Sequence, residues 1–157
     1  MLALPVHPAL VHLPIGMSFL LPLLALSIAF AITRTWLPRG AWLLVVMVSA
    51  IITGAAFFTR QTGEQEEHRL NDPSLQRGIH EHEESANWFI ASTVLTSLLA
   101  VAVAFIKSVR AFSVASFLVA VFTFFPLSIA LRTGYLGGRL VFEQAAGQVK
   151  PEAMQLP

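Results

Sequence analysis

The chain contains no cysteine. Disulfides, iron–sulfur clusters, zinc–thiolate sites and covalent c-type haem attachment are thereby excluded. Charge is also scarce. Only 12% of residues are Asp, Glu, Lys or Arg, against roughly 25% in an ordinary soluble domain. A net charge of +1 leaves no electrostatic footprint for nucleic acid. No basic stretch precedes the first apolar run, and that run is too long for a signal-peptide core, so no secretory signal is expected. There is no phosphate loop, no HExxH and no nucleophile–base arrangement. Catalysis by the chain itself is therefore not indicated.

What the sequence does hold is hydrocarbon. Of 157 residues, 55% are hydrophobic, and the mean hydropathy is +0.70. Four runs, at about 13–32, 41–58, 88–106 and 112–131, approach or reach the roughly 20 apolar residues that span a bilayer. The connections 33–40 and 107–111 are short, which makes neighbouring helices antiparallel. Pro14, Pro22 and Pro126 predict a helix start or kinks. The segment 59–87 is polar and Glu-rich, with Asn71-Asp72-Pro73-Ser74 as its turn signal. The residues on either side of that turn favour helix. The expected fold is therefore all-α: a polytopic membrane protein, one antiparallel four-helix transmembrane bundle. A helical hairpin protrudes between helices two and three, and a C-terminal tail occupies 132–157.

Orientation follows from the short loops. Arg34 and Arg39 lie in the first connection and Lys107 and Arg110 in the third, with no acid in either. Short basic loops stay in the cytoplasm, so both termini are expected outside, in the periplasm of a bacterial inner membrane. Trp36 and Trp42 then mark the inner interface, Trp88 and Tyr135 the outer.

With that topology all five histidines and all nine carboxylates fall on the outer side. Titratable groups at a membrane edge are costly and ask for a reason. His7 and His12 flank the start of helix one, and His80 and His82 lead into helix three. A rise of about 1.5 Å per residue puts the two pairs at similar height. His80 and His82 point to nearly opposite helix faces, and His80 shares a face with Glu83 and Glu84. His12 is the better inward candidate, with His7 above it; Gly16 and Gly54 leave room for a flat group. After helix four, three glycines between Gly134 and Gly138 suit a tight backbone approach or a helix end that folds back, with Leu140, Val141 and Phe142 as an apolar lid. Arg132 and Arg139 are candidate partners for carboxylates. Plain alternatives stand beside these: a boundary histidine that only hydrogen-bonds, a solvated acidic helix face, and ordinary capping glycines.

The opening His7-Pro8-Ala9-Leu10-Val11-His12-Leu13-Pro14-Ile15 resembles the start of a bacterial membrane family, domain of unknown function 2231. Thr53-Gly54-Ala55-Ala56, His82-Glu83-Glu84-Ser85-Ala86 and Gly134-Tyr135-Leu136-Gly137-Gly138-Arg139-Leu140-Val141-Phe142 resemble it too, in the same order. Departures are Leu13 where Phe is usual, and Gln144-Ala145-Ala146-Gly147 in place of a His-Gly pair. The resemblance implies a four-helix inner-membrane protein, and domains fused to or encoded with c-type cytochrome and Rieske-type modules point to electron transfer.

Three functions are consistent with these residues. The first is a redox subunit binding b-type haem, with or without a quinone. His12 and His82 would be axial ligands, His7 and His80 alternates, Gly16 and Gly54 space for the ring, and Arg132 or Arg139 partners of propionates. The second is a zinc, copper or iron site built from His80, Glu83 and Glu84 with His7 or His12. The third is a cofactor-free accessory subunit that docks a periplasmic c-type cytochrome or other redox protein, alone, as a homo-oligomer or inside a larger membrane complex.

Overall fold

A computed structural model describes residues 7, 10–67 and 73–143. His68, Asn71, Asp72 and the tail beyond Glu143 lie outside the described residues. Four helical rods are each long and apolar enough to cross a membrane. Helix α1 is His12–Thr33, α2 is Leu43–Glu67 and α3 is Gln76–Ala104. The fourth rod is α4, Val109–Phe122, continued by α5, Phe124–Phe142. The rods pack in cyclic order, so α1 lies diagonal to α3 and α2 diagonal to the fourth rod.

The break at Thr123 has a local cause. Proline has no N–H, and its ring clashes with the carbonyl four residues back; for Pro126 that residue is Phe122, the last of α4. Pro22 sits inside α1 and Pro14 in its first turn, where a missing N–H costs little. Ser108 caps α4, its hydroxyl accepting from the Ala111 N–H at 3.4 Å. At the end of α1 the Trp36 N–H donates to Ala31 O at 2.9 Å and the Thr35 N–H to Ile32 O at 3.0 Å. That closure needs a left-handed residue, and Thr35 supplies it with φ 62°.

Two expectations change. Trp42 is not an interfacial anchor: it is buried, its indole N–H donates to Ala100 O at 2.9 Å, and Phe112 meets its ring edge-on. The Arg39 guanidinium beside it donates to the Ile106, Lys107 and Ser108 carbonyls and lies over the Phe112 ring, sealing this end of the bundle. Trp36, Trp88 and Tyr135 are exposed. Second, the chain does not fold back after helix four. It stays helical through Gly134, Gly137 and Gly138 to Phe142, because neighbours occupy what the glycines leave open. Ile15 and His82 pack on Gly134 and Gly137, and Leu140 joins Leu75 and Ile79 in a small apolar cluster. The second arm of the hairpin is thus braced by α5.

The interior is rich in small and hydroxyl side chains. Ser18, Ser49, Thr93, Thr96 and Thr123 are buried where the rods meet. Their hydroxyls donate to carbonyls of their own helices. Leu20, Leu23, Leu98 and Leu118 face outward, each more than 60% exposed. Large apolar groups outside and small polar ones at the contacts fit a lipid surrounding, where close packing replaces the hydrophobic effect between helices.

Candidate functional site

At the end of the bundle where α1 begins and α5 finishes, a cavity of about 510 Å³ opens between all four rods. Its walls are mainly apolar, from Ile15, Ala56, Phe89 and Ile90 to Val141 and Phe142. A backbone turn sets His7 on this wall: the Val11 N–H donates to His7 O at 3.1 Å just before α1 starts. His82 enters from α3, and its ring meets that of His7 edge-to-face with centroids 6.4 Å apart.

The two imidazoles are held the same way. His7 Nδ1 lies 2.9 Å from Thr59 O, with Thr62 Oγ1 at 3.2 Å. His82 Nδ1 lies 3.1 Å from Thr133 O. A carbonyl only accepts, so Nδ1 carries a proton in each ring, and in a neutral ring the lone pair falls on Nε2. Inside a helix the side chain at i+4 normally covers the carbonyl of residue i. Here the residues at i+4 are Gly63 and Gly137. A methyl at Gly63 would come within 2.9 Å of His7 Cε1, and one at Gly137 within 3.1 Å of His82 Cε1. Each glycine opens its helix so that an imidazole can reach the backbone.

Ser85 reinforces the His82 side, its hydroxyl paired with Thr133 Oγ1 at 2.8 Å. His82 sits above the lipid-length apolar run of α3, which starts at Trp88. Burial and the neighbouring His7 hold its imidazole below the usual histidine range, despite the opposing bond to Thr133. Two like cations this close in a partly apolar site would repel.

The other sequence candidates are placed differently. His12 borders the cavity but is exposed, so the ring opposite His82 is that of His7. His80 and Glu84 are exposed and Glu83 is half-buried, none of them on the cavity wall. Gly16 and Gly54 face open space away from the cavity. Arg132 is exposed, and Arg139 pairs with Glu143 at 2.9 Å beside the Tyr135 ring. The guanidinium at the cavity is instead Arg60, one turn before Glu64, which it meets at 3.1 Å. Among the described residues no three His, Asp or Glu side chains come together as an ion cage.

Sequence reasoning missed Arg60, Gly63, Gly137, Thr59 and Thr133. A signal was there: Thr59-Arg60-Gln61-Thr62-Gly63 and Thr133-Gly134-Tyr135-Leu136-Gly137 share a Thr-x-x-x-Gly spacing. No curated protein and no solved structure matches the chain. One family does, over residues 3–150, a range that takes in the whole of the cavity wall. The chain belongs to that family, the predicted membrane proteins of domain of unknown function 2231.

Proposed function

We propose that the protein is a small redox subunit of the bacterial inner membrane that holds a b-type haem between His7 and His82 at its periplasmic face. The carrying observation is the pair of imidazoles, each with Nδ1 on a backbone carbonyl, 6.4 Å apart on the wall of an apolar cavity. Histidines that ligate metal characteristically donate their other nitrogen to a carbonyl or carboxylate, which fixes tautomer and orientation. Nitrogens about 2 Å from one ion put the ring centroids roughly 6 Å apart when the three are in line, and roughly 5 Å at a tetrahedral angle. The observed separation suits an in-line pair. Two imidazoles with no third converging His, Asp or Glu among the described residues suit a group that brings its remaining donors with it.

The surroundings fit as well. A volume of about 510 Å³ falls within the range of small-molecule and cofactor sites. Gly138 lines one wall without a side chain, and Arg60 offers a fork for a carboxylate. When bound, the haem supplies one-electron chemistry. The protein's own part is to orient two imidazoles, exclude water with Phe89 and Ile90, and meet the acidic edge at Arg60. A periplasmic c-type cytochrome or similar redox protein would exchange electrons at this exposed end.

Reduced-minus-oxidised absorption spectra of protein purified from haem-replete cells test this. Soret and alpha bands that vanish in the double variant His7→Ala/His82→Ala are expected. Their absence from the native protein overturns the reading, and stoichiometric copper, zinc or iron found in its place by elemental analysis would establish a bare-ion site instead.

A further inference from the structure

The resemblance between the two histidine anchors extends along the helices that carry them. The interval from Thr59 to Thr133 equals that from Gly63 to Gly137, and the interval from His7 to His82 is longer by a single position. Carrying the histidine interval along α1, and the threonine interval along α2, matches interior to interior. Buried Ser18, Leu21 and Ala25 of α1 fall on buried Thr93, Thr96 and Ala100 of α3. Buried Val45, Ala56 and Thr59 of α2 fall on buried Val119, Ala130 and Thr133, the same residue types. Ile52 falls on Pro126, whose ring produced the break in the fourth rod. The cyclic packing puts α1 diagonal to α3 and α2 diagonal to the fourth rod, as a half-turn about the bundle axis requires. The chain is a helical hairpin used twice, and His7 and His82 are the same position in its two copies.

We infer that His7 and His82 are equivalent ligands of one centre lying on this pseudo-twofold axis. This rests on the haem reading above and fixes its coordination. Each half provides one imidazole, one carbonyl anchor and one glycine of the same kind. Neither half offers a weaker or absent ligand. Held by one imidazole from each half, a bound haem would keep no position open for a small gaseous or organic substrate, and the chemistry it would supply is electron transfer.

The test uses the full-length protein with His7→Gly and His82→Gly singly, each measured with and without added imidazole. His7→Gln and His82→Gln serve as companions, because a glutamine amide can still donate to the carbonyl and so keep the fold. Absorption, electron paramagnetic resonance and exposure of the reduced protein to carbon monoxide are the readouts. The native protein is expected to be six-coordinate, low-spin and unreactive to carbon monoxide. Both single variants should become high-spin and bind carbon monoxide to the same extent, and imidazole should restore either glycine variant. A native protein that binds carbon monoxide, or a single variant at either histidine that keeps the native spectrum, overturns equivalent ligation while leaving haem binding in place. A native protein without haem removes the haem reading itself, and this inference with it.

Discussion

Adding one methyl group separates the architecture of the site from that of the bundle. In Gly63→Ala the new carbon would lie 2.9 Å from His7 Cε1, 3.3 Å from Nδ1 and 3.5 Å from Nε2. In Gly137→Ala it would lie 3.1 Å from His82 Cε1 and 3.5 Å from Nδ1. Ordinary contact begins near 3.4 Å, so both rings must retreat by a few tenths of an ångström, His7 further than His82. Those shifts stretch bonds that start at 2.9 and 3.1 Å. Each such bond is worth about 0.5–1.5 kcal/mol. Replacing glycine by alanine inside a helix returns about 1 kcal/mol. The two terms oppose each other, and the apo protein should change by less than about 1 kcal/mol. Ligand affinity has no such compensation: loss of a partner that orients a metal-binding histidine costs about 10–100-fold. Gly16→Ala and Gly54→Ala are the controls, since an added Cβ there meets nothing within 4 Å. Thermal unfolding in detergent and haem titration of the four variants read out both quantities. Unchanged unfolding with weakened binding is expected at Gly63 and Gly137 only, more at Gly63. Native affinity in Gly137→Ala, or an equal loss in Gly16→Ala, would refute the anchoring reasoning.

The remaining predictions concern pH, packing, the first connection and topology. Burial holds the folded-state pKa of His82 below its unfolded value of about 6.5. The folded protein therefore binds fewer protons than the unfolded one, and stability is full above that value and declines as pH falls below it. The unfolding temperature should drop from pH 7.5 to pH 5.5, with a shallower slope in His82→Gln; equal slopes would refute the assignment. Trp42→Phe removes the indole donor to Ala100 O and should cost about 1 kcal/mol, whereas Trp42→Ala should cost about 3–5 kcal/mol in the same unfolding assay. Thr35→Gly relieves a left-handed threonine and should raise stability by about 1 kcal/mol. Because the chain lacks cysteine, Gln76→Cys and Lys107→Cys can be labelled selectively in intact cells. A membrane-impermeant thiol reagent should reach the first and not the second, and the reverse pattern would invert the orientation.

Much of this protein is written along the chain. Hydrocarbon runs of bilayer length fixed four rods, because every backbone polar group in lipid must be satisfied within its own helix. Short polar connections fixed their antiparallel order. The His-Pro opening and the His-Glu-Glu segment marked one end as chemically unusual, because titratable groups near lipid are expensive. Tertiary structure alone decided which imidazoles meet. Helical periodicity favoured His12, but His7 is itself helical just before α1, and the Thr59 carbonyl draws it to His82. Glycine was legible only by type: Gly16 and Gly54 face open space, while Gly63 and Gly137 are the ones an imidazole covers. Propensity likewise ended helix four early, whereas packing against Ile15, His82 and the Leu75–Ile79 cluster carries it to Phe142. The sequence determined the elements because lipid acts on each helix separately. The site depended on contacts between segments far apart along the chain, His7 with Thr59 and His82 with Thr133, which the Thr-x-x-x-Gly spacings mark but do not pair.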